Sequence, residues 1–600
     1  MTVNLARRAA DATLGAKPIG GNAMPDAGQT SNATVALRLA EAFRRHGVTL
    51  TFGQSLPSAF HLACPHVGID QKVYRQENAG GAMADGYARI SRKVGVVTAQ
   101  NGPAATLLVP PLAEALKASV PIVALVQEVT RDAMDRNAFQ DLDHLNMFAP
   151  VAKWVRRLER ADRLDDFVDM AFTAAASGRP GPAVLLVPAD LLTETAAPVS
   201  ALLRPRQLSL GEVPLDRTMA DPAAIARVAD ALAAARNPLV VVGGGVHLSG
   251  AWAELAALQE TAHLPVGTTV MGKGAADETH PLTLGVIGYV MGQGARTAAL
   301  RPMVDRADLV LLVGTRTNQN GTDSWKLFPP GAKFIHLDAD PMEVGRNYEA
   351  MRLVGDAKLT LAALTVELAK RDLGTRAAAR PAIEAEIAAA VAGWRGTIAA
   401  LVKRDTPLLR PERLMAELDP LLRPQDIVVA DASYSSIWIA NYLTAKRAGQ
   451  RFLTPRGIAG LGWGLPMAIG AQIAAPDARV VCLCGDGGFG HSWAELETLR
   501  RLELPITTIV LNNGILGYQK HAEEVKFGEH TKAVFFTGVD HAAIARACGV
   551  EGIRLEDSAR IGATLAAALE AARPVLIDMV TDPDAKPPIS FYAGHYPEPF

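Results

Sequence analysis

Short apolar runs that end in a glycine or small polar residue, then give way to Ala- and Leu-rich stretches, recur along this chain. "VGVVTAQNGPAAT" and "VVCLCGDGGFGHSWAELETL" show the form. A β-branched run without polar alternation reads as a strand buried on both faces, and the helical stretch after it returns the chain to start a parallel neighbour. The pattern predicts an α/β chain of parallel sheets with helices on both faces. At 600 residues the chain exceeds one core. The runs fall into three blocks of similar rhythm without a strict repeat, which predicts three doubly wound parallel-sheet domains.

The first domain is placed at 34–200, on "TLTFGQ", "VGVVTAQNGPAAT", "PIVALVQE" and "PAVLLVPADL". The second is placed at 219–375, on "PLVVVGGGV", "PVGTTVMGKG", "ADLVLLVGTRT" and "KFIHLDAD". The third is placed at 411–582, on "IVVADASYSS", "ARVVCLCGDGG", "PITTIVLNNG" and "PVLIDMV". Residues 1–33 lack an apolar secretory core and read as a flexible tail. Residues 583–600, rich in proline and aromatic rings, read as an irregular tail packed on a surface.

A net charge of −2 leaves no electrostatic footprint for nucleic acid or an anionic membrane. No apolar run is long enough to span a bilayer. Four cysteines make no disulfide framework and point to a reducing, cytoplasmic setting. Cys482 and Cys484 alternate on a strand and read as small buried side chains rather than a metal pair.

In open parallel sheets, ligands bind beyond the carboxyl ends of strands. Asp486 and Asn513 both fall there, on two different strands. Asp-Gly and Asn-Gly are ordinary turns when taken singly. Together they offer two hard oxygen ligands, too few for a calcium cage but suited to an octahedral Mg²⁺ completed by a backbone carbonyl, water and phosphate oxygens. The neighbouring glycines let backbone N–H groups approach a phosphate, and a helix expected to start near Ser492 would aim its positive end the same way. A metal-bridged diphosphate is the economical reading.

With its Gly485-Asp486-Gly487 start and Asn512-Asn513 end, the segment resembles the thiamine diphosphate (ThDP) enzymes, in particular their acetolactate synthase-like group. "PRGIAGLGWGLPMAIGAQIA", "FQDLDHLNMFAPVAKW" and "KFIHLDADPMEVGRN" carry the likeness along the chain. The resemblance implies pyrimidine-binding, central and diphosphate-binding domains in that order. It implies Glu77, in "YRQENAGGAMADGYAR", as the catalytic acid at the aminopyrimidine N1′, a task that suits a carboxyl group in a water-poor site. It implies Leu461 as the wedge that bends the cofactor, with the backbone of Ala459 beside the pyrimidine. Ser433, Tyr434, Ser435, Gly485, Gly487 and Gly488 would line the diphosphate, and the Ile515 carbonyl would join Asp486 and Asn513 on the metal. Gln140 and Phe139 would reach the site from a neighbouring subunit, with Gln54, Ser55 and Asn101 near the substrate and His491 as a proton donor. Because Glu77 and Asp486 would meet across two subunits, a homodimer is expected at least, and a homotetramer by family habit. The central domain of this group can hold FAD, ADP or nothing. Arg316 matches an arginine of the flavin-binding relatives, while "TNQN" replaces their acidic stretch.

One departure bears on the reaction. "NNGILGYQKHAEEVKFG" places Tyr518 where acetolactate synthases carry a methionine, and Ala522 near their tryptophan. The stretch Tyr518-Gln519-Lys520-His521 is expected to make the substrate wall polar. The reading is a lyase or carboligase on a 2-oxo acid or related α-carbonyl substrate, rather than a true acetolactate synthase. The alternatives are a 2-hydroxyacyl-CoA lyase or oxalyl-CoA decarboxylase with the C-terminal tail as lid, a flavin-dependent 2-oxo acid oxidase, and a non-catalytic regulatory relative.

Overall fold

The computed structural model describes residues 33–196, 206–403, 406 and 408–593. Most of the expected N-terminal tail and the last seven residues lie outside them. Three six-stranded sheets follow one another along the chain, and every pairing within them is parallel. The first holds β1 (Leu50–Phe52), β2 (Asp70–Lys72), β3 (Gly95–Ala99), β4 (Ile122–Glu128), β5 (Trp154–Arg157) and β6 (Pro182–Pro188). The second holds β7 (Pro238–Val242), β8 (Val266–Thr268), β9 (Thr283–Val286), β10 (Leu309–Val313), β11 (Lys333–Asp338) and β12 (Ala350–Val354). The third holds β13 (Ile427–Ala430), β14 (Phe452–Leu453), β15 (Val480–Gly485), β16 (Ile506–Asn512), β17 (Glu551–Leu555) and β18 (Val575–Val580).

The first sheet runs β2-β1-β3-β4-β6-β5, and the third repeats that order as β14-β13-β15-β16-β18-β17. The central sheet runs β12-β11-β10-β7-β8-β9, the strand order of a dinucleotide-binding fold. The inner strands are buried along most of their length, and β16 with "ITTIVLN" and β10 with "LVLLV" are buried throughout.

The outer domains meet through two helices, Glu77–Ser91 and Gly464–Ala474. Their small residues are a steric requirement. A Cβ on Gly86 would fall 2.2 Å from the Met467 carbonyl oxygen, and one on Gly470 would fall 1.9 Å from that of Met83. Only glycine lets the two backbones touch, and that contact sets where Glu77, the first residue of its helix, stands.

In the tail, Ile589 and Tyr592 are buried and Ser590 Oγ donates to Asp323 Oδ1 at 2.5 Å. The described part of the expected lid is thus packed into the body, and residues 594–600 lie outside the described residues.

Candidate functional site

A cavity of about 460 Å³ opens at the carboxyl ends of β13, β15 and β16. This is the point where the strand order of the third sheet reverses, between β13 and β15. Asp486, Asn513, Ile515, Gly485, Gly487, Gly488, Ser433, Tyr434, Ser435, Ala459, Leu461 and Tyr518 all line it. A search along the sequence had no means to add Asp431, Arg456, Tyr289 and Asn320, which the fold also brings to its wall.

Asp486 is buried, and burial pushes its carboxyl up to about 6, against the pull of the backbone N–H groups of Gly514 and Gly487. Those N–H groups donate to it at 2.7 and 3.0 Å. Among the described residues no Lys, Arg or His forms an ion pair with it, so a carboxylate here lacks the cation its burial calls for. Asn513 Oδ1 accepts the N–H of Ile515 at 3.2 Å, and both residues line the cavity. Among the described residues no three His, Cys, Asp or Glu side chains gather to hold a metal. An ion at Asp486 therefore needs amide and backbone oxygens as well, a donor set that suits Mg²⁺.

The glycines have a second reason to be there. A Cβ on Gly488 would fall 2.0 Å from Asp431 Oδ2, and one on Gly487 would fall 2.9 Å from Leu516 and Phe536. Asp431 uses its buried carboxylate to gather the N–H groups of Ala432, Gly462, Trp463 and Gly464 at 2.9–3.3 Å. That clamp fixes the turn carrying Leu461. Two non-glycine residues of the wall, Ser433 and Ala459, have φ of 67° and 61°, backbone strain of the kind held at binding sites.

The expected helix near Ser492 is corrected. A helical turn begins at Asp486 itself and ends at Phe489, and the next helix begins at Glu495. His491, expected as a proton donor, is exposed and stands outside the cavity wall. Its N–H bonds back to Gly488, and its Cβ packs against Gly462. The polar wall also narrows to Tyr518 and Gln519. Lys520 pairs with Glu524 at 2.8 Å, and buried His521 turns Nδ1 to the Tyr434 hydroxyl at 2.8 Å. The Tyr434 hydroxyl also meets that of Tyr592 at 2.7 Å.

The first-domain residues gather elsewhere. No described residue from 34–200 lines this cavity. Gln54 and Ser55 follow β1 and are exposed, and Gln54 Nε2 donates to the Arg75 carbonyl at 3.2 Å. Asn101 follows β3, is buried, and donates to the carbonyls of Gln140 and Phe139 at 2.9 and 3.3 Å. Gln140 sits at φ 63°, its side chain accepting from Gln100 at 2.8 Å. Phe139 is 86% exposed. Glu77 is half-buried at the start of its helix.

A second cavity, about 210 Å³, lies at the carboxyl ends of β7, β10 and β11 in the central domain. Gly243–Gly245, Gly314, Arg316 and Asp338 line it, and Tyr289, Asn320 and Arg456 line both cavities. Burial lowers the Arg316 guanidinium and pushes the Asp338 carboxyl up to about 6.

Sequence comparison agrees with this arrangement. Residues 33–147 match the N-terminal TPP binding domain of thiamine pyrophosphate enzymes, 225–364 their central domain and 431–579 their C-terminal TPP binding domain. The chain belongs to the thiamine pyrophosphate enzymes, within their acetolactate synthase-like group. It is 34% identical to the acetolactate synthase large subunit of Parasynechococcus marenigrum, over 92% of this chain and 88% of that one. It is 32% identical to a probable acetolactate synthase large subunit of Methanococcus aeolicus, over 89% of both chains. An acetolactate synthase isozyme 3 large subunit of Escherichia coli is 30% identical over 86% of this chain and 88% of its own length. The chain is thus a thiamine diphosphate-dependent enzyme of the acetolactate synthase type. No helix among the described residues is long and apolar enough to cross a membrane.

Proposed function

We propose that this enzyme makes or breaks a carbon–carbon bond beside a carbonyl, on a 2-oxo acid or related α-carbonyl substrate carrying a polar group, with thiamine diphosphate held through Mg²⁺. The observation that carries the reading is the buried, unpaired Asp486 carboxylate beside Asn513 at the strand-order reversal of the third sheet. When bound, thiamine diphosphate supplies a nucleophilic carbon and a sink for the electron pair released at the breaking bond. Asp486, the Asn513 side chain and the Ile515 carbonyl hold the ion. Ser433, Tyr434, Ser435 and the Gly485–Gly488 turn surround the diphosphate, and Ala459 and Leu461 hold the pyrimidine.

Glu77 of a second copy holds the proton at the pyrimidine N1′, and Gln54, Ser55, Asn101, Phe139 and Gln140 of that copy close the substrate side. This makes the working unit a homodimer, which two such dimers extend to a tetramer. The Tyr518 hydroxyl donates a hydrogen bond to the polar group of the substrate, and pyruvate is then a poor second substrate. The test is a panel of 2-oxo acids, 1,2-diones and acyl-CoAs offered to the Mg²⁺- and ThDP-loaded enzyme, with products identified by NMR after acid quench. Turnover of an oxygenated 2-oxo acid with slow acetolactate formation supports the reading. Fast acetolactate formation from pyruvate returns the chain to the activity its relatives are named for.

The central cavity is proposed to take an adenine nucleotide, FAD or ADP. Its place at the β7/β10 reversal and the partly buried Arg316 suit a diphosphate. Chromatography of the supernatant from denatured protein identifies FAD, ADP or neither.

A further inference from the structure

Two buried carboxylates cross between the outer domains of the same chain. Glu495 opens a helix of the third domain and is 1% exposed. It accepts the backbone N–H of Arg75 at 3.1 and 3.4 Å, and the Gln76 N–H also bonds to it. Those two residues immediately precede Glu77. Thr498 Oγ1 donates to the same carboxylate at 2.7 Å and fixes its rotamer. Gln76, the N-cap of the Glu77 helix, makes no side-chain cap of its own. The Glu77 end of the first domain is therefore held by the third.

The reverse contact has the same chemistry. Glu114 lies in the first-domain helix Pro103–Ala118 and is 2% exposed. It accepts the N–H groups of Gly457 and Ile458 at 2.7 Å each and of Ala459 at 3.2 Å. This is the third-domain loop that carries Ala459 and leads into Leu461. Between the two braces, Trp463 Nε1 donates to Asn78 Oδ1 at 2.9 Å.

We propose that Glu495 and Glu114 are reciprocal positioning residues: Glu495, in the third domain, sets Glu77, and Glu114, in the first domain, sets the 457–461 loop of the cofactor cavity. The proposal rests on the shared-site reading above. Each brace then acts on the active site that its own domain does not build. Glu495 sits nine residues from Asp486, yet it serves the site completed by the partner's Asp486. Glu114 shares a domain with Glu77, yet it serves the site that its own chain's Asp486 builds. A charged acceptor is needed because each carboxylate gathers several N–H donors, and a glutamine turns one acceptor oxygen into a donor facing them.

Two measurements test this. In homo-oligomers loaded with Mg²⁺ and ThDP, Glu495→Gln should slow exchange of the thiazolium C2 proton about tenfold with ThDP affinity within about twofold, as for a displaced catalytic group. Glu114→Gln should weaken ThDP binding, measured by calorimetry, about tenfold with exchange at saturation within about twofold. The opposite split, or no change in either variant, overturns the proposal. The second measurement is complementation in hybrids isolated with two affinity tags and assayed by the same exchange.

Glu77→Gln with Asp486→Ala is the control, because each hybrid dimer has one site with both lesions and one with neither. Glu495→Gln should behave as a Glu77 lesion. It should restore one wild-type site when paired with Asp486→Ala and none when paired with Glu77→Gln. Glu114→Gln, whose lesion lies in affinity, should do the reverse when exchange is followed at ThDP concentrations well below saturation: one wild-type site when paired with Glu77→Gln and none when paired with Asp486→Ala. A control that restores activity while Glu495→Gln fails to complement Asp486→Ala overturns the proposal alone. A control that fails overturns the shared-site reading, and the cross-site assignment falls with it.

Discussion

The first and third domains have the same six-strand order and the same point of reversal, yet their strand ends are furnished differently. At the β13/β15 reversal a walled cavity is lined by Asp486, which has no ion pair among the described residues, by Asn513 and by four glycines. At the β1/β3 reversal the matching positions carry Gln54, Ser55 and Asn101, with Phe139 86% exposed nearby. One domain is equipped to hold a charged ligand, and the other presents a face that lacks one. A shared frame does not make equivalent sites, and each half reads as incomplete without the other.

Removing the acid from the third domain should have the most severe consequence. Asp486→Ala should abolish Mg²⁺-dependent ThDP binding, with a loss of at least about 10³-fold in affinity, since a metal clamp on phosphate oxygens is worth several kcal/mol. Calorimetry with Mg²⁺ and ThDP reads it directly, and normal affinity would show that the diphosphate is held some other way.

Glu77→Gln strikes the other half and should separate binding from chemistry. ThDP affinity should stay near that of the wild type, while C2 proton exchange should fall about 10²-fold, the scale for losing an acid–base group. Unchanged exchange would mean that the first domain activates the cofactor through another residue, and the contrast between the two halves would have to be redrawn.

How much of this contrast could be read in the sequence depends on burial. The runs quoted from each block became the four inner strands of each sheet, and both edge strands escaped notice in all three. The reason is physical. β2 reads "DQK", β5 "WVRR" and β17 "EGIRL", each partly exposed and bearing charge, while β14 has two residues and β9 four, one of them glycine. A strand covered on one side need not be apolar throughout, so it leaves no run to find. The same limit holds at the site. Asp486 and Asn513 are legible because each stands beside glycine at the end of an inner strand. Asp431, Arg456 and Tyr289 join them only through the fold, and Glu495 meets Arg75 across 420 positions.

Gly488→Ala separates steric need from phosphate contact in the third domain. Its methyl would fall 2.0 Å from Asp431 Oδ2 and displace the carboxylate that clamps Gly462, Trp463 and Gly464. Overpacking of this kind should cost about 1–3 kcal/mol of stability. Denaturant unfolding of the cofactor-free protein measures it without reference to ligand. An unchanged midpoint would mean that the clamp relaxes freely and that the glycine serves the ligand alone.

A milder change asks whether the third-domain wall also selects the substrate. Tyr518 is 39% exposed in the single chain, lines the cavity, and packs edge-to-face on Tyr434 with centroids 5.8 Å apart. Tyr434 is itself tied by its hydroxyl to His521 and Tyr592, so the platform beneath Tyr518 is fixed. Replacing Tyr518 with phenylalanine keeps the ring contact and removes only the hydroxyl. If that hydroxyl bonds the polar group of the substrate, kcat/KM on the true substrate should fall about tenfold, the effect of leaving one buried polar group unpaired at about 1–3 kcal/mol. ThDP affinity should be unaffected, because the contacts proposed for the diphosphate and the metal do not include the Tyr518 hydroxyl. The discrimination against substrates lacking the polar group should shrink by the same factor, since a site built around a hydrogen bond rejects analogues without it. Equal kcat/KM for the wild type and Tyr518→Phe on every substrate of the panel would remove Tyr518 from recognition and leave selection to the first-domain residues proposed above.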